Sequence, residues 1–379
     1  MWIFRHIAAQ RDYKLHFLDS STVFLLGSLH EKIWLRGLPG FTGSFPAGTQ
    51  WSLRRPVYGL RQAPREWHDT MRTTLAALGF APSTADPSLF LHTNTSLPPF
   101  YVLEYVDDLV FATADTEALT LVKSELQMRH TCTDLGELRS YLRLQITRDR
   151  ARRTITMTQS HMVHQSVEPS GPYPELVGCL MYLMTCTRPK LAYPLSLLAP
   201  YVAPGMGLVL GGQGLVVLTS HTDASWVDDS ATQRSSQGYT SSLGSGSVSW
   251  RSTCSSWVLS FSCEAEIYAG AMGAQELRLL TYLLTDLGEQ PRSPLILYVE
   301  NKAMLALSKE HKQEHRTKHI ALRYFLAQEL QQHGRLRLAY VATMANTTDV
   351  FTKALPPGDH QHFSTVLGLL PTLAHLLTA

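Results

Sequence analysis

Asp107 and Asp108 stand side by side in LEYVDDLVFAT (103–113), inside a run that is otherwise almost wholly apolar. Two carboxylates about 4 Å apart repel by about 4 kcal/mol at an effective dielectric near 20. A half-buried pair therefore needs a proton or a cation, and a divalent ion held by oxygens meets that need. A tight turn between two strands, which aspartate favours, accounts for the same residues without any ion. Asp19 ends the strand-like LHFLD. If that strand pairs beside the hairpin, three carboxylates converge, a ligand set for two divalent ions that activate a hydroxyl and stabilise a leaving oxygen in phosphoryl transfer. Alone, an acid at a strand end also serves as a cap or turn residue. Ser21 stands where an aspartic-protease triplet needs glycine.

A second set of acids lies further along. Asp223 ends a strand-like run in SHTDASW, Glu264 and Glu266 open a long helical pattern, Glu300 follows LILYV, and Asp349 sits in TTDVFTKAL. Gathered at one edge of a sheet, these acids form a metal site. The helix dipole also favours acids in first helical turns, which covers Glu264 and Asp349 well and Asp223 poorly. His311, His315 and His319 share a helical face in HKQEHRTKH, but H-E-x-x-H is absent and Lys and Arg crowd the stretch. That composition reads as a solvated or phosphate-facing basic face. Trp226, Trp250 and Trp257 read as core or sheet-surface aromatics.

The elements that must position these residues follow from periodicity. Residues 1–17 read as a helix and then a strand. A Gly- and Pro-rich loop spans 37–48, and a helix over 66–78 carries Trp67, Met71, Leu75 and Leu78 on one face. The hairpin around Asp107 leads to a second amphipathic helix over 116–130, then to two strands over 139–158 joined by DRARR. SVEPSGPYPE (166–175) has linker composition, two short apolar segments cover 176–202, and APGMGLVLGGQG (203–214) reads as a Gly-rich joint. Beyond it come three strands, a helix over 264–287, a strand, a helix, another helix over 317–332, a strand and a short final helix. Strands first and then helix–strand alternation predict a mixed sheet with helices packed on it. The expected organisation is two α/β domains, 1–165 and 215–357, joined by 166–214 and followed by an apolar tail, 358–379.

The chain has 379 residues, of which 44% are hydrophobic and 17% charged, so it can bury real cores. A net charge of +2 neither demands nor excludes a nucleic-acid partner. Five scattered cysteines, none spaced C-x-x-C, suggest reduced thiols and an intracellular protein, in the cytoplasm with the nucleus as the alternative. No signal-peptide pattern and no membrane-length apolar run is present, so no membrane partner is expected. P-loop, G-x-G-x-x-G and G-x-S-x-G motifs are absent.

The strings LDSSTVFLLG, PVYGLRQAPREW, LEYVDDLVFAT, LGELRSYLRLQITRD and TRPKLAYPLSLL occur in that order, followed by TDASW, RSSQGY, SVSWRS, CEAEIYA, HRTKHI and DVFTKALP. In this order they resemble the reverse transcriptase (about 8–165) and ribonuclease H (about 215–357) of copia-type retrotransposon Pol polyproteins. The resemblance implies a palm with partial fingers, a short helical connection and a ribonuclease H-like mixed sheet flanked by helices. It places polymerase metal ligands on Asp19, Asp107 and Asp108, and nuclease ligands on Asp223, Glu266, Glu300 and Asp349. Phe24 matches the residue that crowds the sugar 2′ position, and Tyr58, Gly59, Gln62 and Pro64 fall in the segment against nucleotide and template. His315, Arg316 and His319 match a basic signature near the nuclease site. Two Mg²⁺ per site, with Mn²⁺ as the alternative, and an RNA template, DNA primer, RNA–DNA hybrid and dNTPs are the implied cofactors and partners. The chain also departs from the pattern: only about eighteen residues precede Asp19, and the thumb segment is short. Ser20, Ser21, Val23, Arg143, Ser225 and Glu300 replace usual residues. A truncated or decayed copy, catalytically inactive but still folded, is therefore the alternative expectation.

Overall fold

The computed structural model describes residues 2–20, 29, 31–36, 50–57, 59–159, 182, 184–187, 206–228, 232–256, 258–259, 261–309 and 321–371. It is a mixed α/β protein that divides into two compact units, residues 13–138 and residues 1–12 together with 139–379. Chain order opens with helix α1 (Trp2–Gln10), which belongs to the second of these units.

The unit over 13–138 is built on a six-stranded antiparallel sheet. Its strands are β1 (Lys14–Ser20), then, after the short ribbon β2 (Trp34–Arg36) and β3 (Gln50–Ser52), β4 (Phe80–Pro82), β5 (Leu89–His92), β6 (Phe100–Tyr105), β7 (Asp108–Thr113) and β8 (Cys132–Glu137). Strand order is β4-β5-β6-β7-β1-β8, so the sequence-distant β1 lies beside the hairpin β6–β7. Two helices complete the unit, α2 (Ala63–Ala77) and α3 (Thr116–Arg129). Pro64 lies in the first turn of α2, where a missing N–H costs nothing, and Trp67, Met71 and Leu75 recur every four residues on its buried face. The Asp115 side chain accepts from the Ala118 N–H at 3.0 Å and caps α3. Leu119 and Leu126 of α3 join Leu18, Val102, Leu109 and Phe111 in the same core as the α2 face.

In the other unit, β9 (Ser140–Tyr141), β10 (Leu144–Asp149), β11 (Thr154–Thr158) and β12 (Met206–Gly211) form part of one sheet. The stretch over 203–214, expected as a joint, thus contains a buried strand. Its glycines explain both the expectation and the outcome. A Cβ at Gly207 would lie 2.7 Å from Thr156 and 2.9 Å from Thr158, so glycine here permits close packing rather than a turn. Helix α1 packs on β11 and β12, and Arg148 donates to the carbonyls of Ala8 and Ala9 at its C-terminal end.

The remaining sheet has the order β15-β14-β13-β16-β17, with β13 (Leu218–Ser225), β14 (Ser236–Leu243), β15 (Gly246–Cys254), β16 (Leu295–Val299) and β17 (Leu336–Tyr340). The first three strands are antiparallel, and β16 and β17 run parallel to β13, so the sheet is mixed, as expected. The long helix α4 (Ser262–Asp286) packs on β13 and β14. A Cβ at Gly273 would come within 2.5 Å of Thr222, so glycine sets how closely α4 approaches the strand that carries Asp223. Helices α5 (Lys302–Lys309), α6 (Ala321–Gln332) and α7 (Pro357–Val366) follow, with two short 3-10 turns, Thr343–Ala345 and Thr347–Phe351, before α7. The apolar tail continues past α7 into strand β18 (Leu369–Pro371), which pairs with β12. Among the described residues, no helix is long and apolar enough to cross a membrane.

Candidate functional sites

The β6–β7 hairpin closes with Tyr105 paired to Asp108, leaving Val106 and Asp107 as a two-residue turn. Val106 adopts φ +57°, a left-handed conformation that a β-branched residue occupies only under strain. Two contacts hold it there. The Trp67 indole N–H donates to the Val106 carbonyl at 2.5 Å, and the Ser20 N–H donates to the Asp107 carbonyl at 2.9 Å. The register of β1 and β7 sets Asp19 directly opposite Asp108, which puts both side chains on one face of the sheet. Burial, then Asp107 and Asp19, push the Asp108 acid up to about 6. The three carboxylates are half-buried neighbours. They do not bring one oxygen each within 4.8 Å of the others; among the described residues only Asp223, Glu300 and Asp349 do.

Behind the hairpin lies a pair that the sequence had hidden in an apolar run. Glu104 of β6 is buried, with its Oε2 2.8 Å from His68 Nδ1 on α2. Burial pushes its acid up to about 7, against the opposing pull of His68. Gly59, with φ +93°, forms the turn before α2, Gln62 is the N-cap residue and Pro64 lies in the first turn of the helix. Phe24 and Tyr58 lie outside the described residues, as do Trp257, His311, His315, Arg316 and His319.

The second acid set converges more tightly. Thr222 pairs with Val299 across the parallel strands, so Asp223, within β13, and Glu300, just past the end of β16, stand side by side. Asp349 arrives on the 3-10 turn, which Asn346 ties down by donating to the Thr222 carbonyl at 3.3 Å and accepting from the Thr348 N–H. Glu300, one methylene longer than the aspartate expected there, still reaches the cluster, held by the Thr343 hydroxyl. Glu266 comes from near the start of α4, just past its first turn; it lies outside the 4.8 Å set yet feels its charges. Burial, then Asp223, push its acid up to about 9, and burial and Asp223 push Asp349 up to about 7. Burial also raises the Asp223 acid, against the pull of Lys353 and Thr352, whose hydroxyl donates to it.

Lys353 is the residue that sequence reasoning missed. Its Nζ lies 3.3 Å from Asp223, 3.1 Å from Asp349 and 3.7 Å from Glu300. Burial works to lower its pKa, but the carboxylates outweigh burial and raise it. The available signal was its spacing, four residues beyond Asp349 inside DVFTKALP.

A divalent ion suits this donor set. The donors are all carboxylate oxygens, which hard cations prefer, and Glu266 Oε2 and Glu300 Oε2 are buried without a hydrogen-bond partner.

Residues 2–171 match the family model described as reverse transcriptase (RNA-dependent DNA polymerase). Over 96% of its length the chain is 29% identical to the retrovirus-related Pol polyprotein from transposon RE2 of Arabidopsis thaliana and 25% identical to that from transposon TNT 1-94 of Nicotiana tabacum. Over nearly its whole length the chain is thus similar to retrovirus-related Pol polyproteins of plant transposons. It spans 28% and 31% of those two relatives' lengths. Among solved structures it is similar to the N-terminal RNase H domain of a Mycobacterium tuberculosis protein, solved as a fusion with maltose binding protein. That match has 12% identity, covers 39% of this chain and 96% of that one, and has a TM-score of 0.28. The PVYGLRQAPREW string, inside the matched region, leads into α2 and so supplies the Trp67 that holds the acidic hairpin.

Proposed function

We propose that residues 215–357 form a ribonuclease H that hydrolyses the RNA strand of RNA–DNA hybrids. In this reading Asp223, Glu266, Glu300 and Asp349 hold two Mg²⁺, or Mn²⁺. Bound there, the ions would lower the pKa of an attacking water and stabilise the leaving oxygen. The supporting observation is the convergence of Asp223, Glu300 and Asp349 within 4.8 Å beside the unpartnered oxygen of Glu266. Thr352, Thr343 and Asn346 orient the ligands. The buried surroundings exclude bulk water and strengthen each carboxylate's hold on a cation. Cleavage of a labelled RNA–DNA hybrid tests the reading: Asp223→Asn should lower it about 100-fold, and unchanged cleavage rejects the assignment.

Residues 1–165 we assign to the reverse transcriptase region, with Asp19, Asp107 and Asp108 as its ion ligands and the primer 3′-hydroxyl as nucleophile on a dNTP. The looser spacing of these three acids supports a second reading, in which this region keeps its fold and binds nucleic acid without extending primers. Primer extension on poly(rA) with Mg²⁺ or Mn²⁺, run beside Asp107→Asn, separates the two. Extension lost in the variant supports catalysis, extension surviving in both forms removes the site assignment, and extension in neither supports the inactive reading. We place the chain inside the cell, where such substrates occur.

A further inference from the structure

The ammonium of Lys353 is surrounded by the same three carboxylates, from a strand, a strand end and a 3-10 turn, that form the acid cluster. Among the described residues it is the one cation paired with them. Its backbone is fixed, because the Lys353 N–H donates to the Asp349 carbonyl at 2.9 Å and the neighbouring Thr352 hydroxyl binds Asp223. Its side chain is 32% exposed, so the ammonium has a route to water.

We propose that Lys353 is the resident cation of this site: it holds the acids together without metal, and an entering divalent ion competes with its ammonium for the same oxygens. The inference rests on the assignment of Asp223, Glu266, Glu300 and Asp349 as metal ligands. Three close carboxylates repel unless a positive charge sits among them. A lysine fills that role incompletely, since it reaches Glu300 Oε2 only at 3.7 Å and leaves both that oxygen and Glu266 Oε2 without a hydrogen bond. A divalent ion carries more charge and takes six or more oxygens, so exchange satisfies what the ammonium leaves open. Lysine also suits exchange better than arginine would. Its compact charge rides on a flexible stem and can withdraw while the 3-10 turn stays in place, whereas a guanidinium fork would grip a carboxylate through two bonds.

The test is Mn²⁺ binding to the full chain, followed by loss of the free-ion EPR signal. All proteins carry Asp107→Asn and Asp108→Asn so that the hairpin contributes nothing. Lys353→Met keeps the stem and removes the charge; it should bind Mn²⁺ about tenfold more tightly. Without metal it should melt below the parent, and Mn²⁺ should raise its Tm by more than it raises the parent's. If Lys353→Met fails to fold, Lys353→Arg takes its place and should bind Mn²⁺ several-fold more weakly. Unchanged or weaker Mn²⁺ binding in Lys353→Met overturns the proposal, including when hybrid affinity falls instead, which would make Lys353 a phosphate contact. Unchanged binding in Lys353→Arg overturns it equally. Added Asp223→Asn separates the two failures: if it leaves Mn²⁺ binding intact, the ligand assignment falls and takes this inference with it.

Discussion

Asp19 and Asp108 face each other across one ladder of a single antiparallel sheet, and Asp107 sits in the adjoining turn. Asp223, Glu266, Glu300 and Asp349 instead arrive from a strand, a helix, a strand end and a 3-10 turn. In the first arrangement backbone register alone juxtaposes like charges, and half-exposure lets water screen them. In the second the acids are more buried, and screening passes to Lys353. The comparison separates two ways to tolerate clustered carboxylates: leave them wet and let the backbone aim them, or bury them around a built-in positive charge.

The aiming half of that comparison breaks most readily at Trp67. This side chain fills the core under the hairpin, and its indole N–H holds the carbonyl of the strained Val106. Trp67→Ala should destabilise the protein by about 3–5 kcal/mol through the cavity it opens. Trp67→Phe keeps most of the volume and loses the hydrogen bond, for about 1–2 kcal/mol. Denaturant melts of both variants check the values. An undiminished stability in Trp67→Phe would mean that packing alone, without the indole bond, fixes the turn.

What the sequence revealed depended on how local each cause was. The α2 stripe of Trp67, Met71 and Leu75, the YVDD turn and the strand end before Glu300 are local patterns, and the structure places them where the sequence put them, whereas β13 runs two residues past Asp223. Strand β12 was hidden because glycine signals a turn, while here Gly207 answers a contact with Thr156 and Thr158, about fifty residues away. Glu104 was hidden inside an apolar run, because its partner His68 lies 36 residues earlier on α2. Lys353 lies within a recognised string, but a lysine is not a metal ligand, and only the folded chain shows which charges it meets. The acid sets were thus legible, and the groups that stabilise or aim them were not.

The burial half of the comparison sharpens with Glu104, an acid kept dry with only a histidine beside it. Its acid is held near 7, above the ordinary value of 4.5, by burial. The folded state therefore keeps the proton more tightly than the unfolded chain. Its stabilising share is complete below about pH 4.5 and is lost as pH rises through about 7. Glu104→Gln removes that titration. The stability difference between variant and parent should move in the variant's favour by roughly 2–3 kcal/mol between pH 4 and pH 8. Urea midpoints across that range measure it, and a flat difference would show that His68 compensates the buried charge fully.

The smallest effect concerns strain. Val106 carries φ +57° at an acidic turn, and Leu142 and Arg143 carry φ +47° and +56° in the two-residue turn between β9 and β10, away from any acid cluster. Both turns ask side-chain-bearing residues for a conformation that suits glycine, at about 1–2 kcal/mol per residue. If strain at Val106 serves to aim Asp107, relieving it should cost function, whereas relieving it at Arg143 should only add stability. Arg143→Gly should therefore raise stability by about 1 kcal/mol, somewhat less than the strain removed, because glycine also frees the unfolded chain. Hybrid cleavage should stay unchanged. Val106→Gly should give a similar gain with weaker Mn²⁺ binding by Asp107 and Asp108. Matching metal affinities in the Val106 variant and the parent would make the two turns equivalent and leave the strain at the acidic hairpin without a purpose.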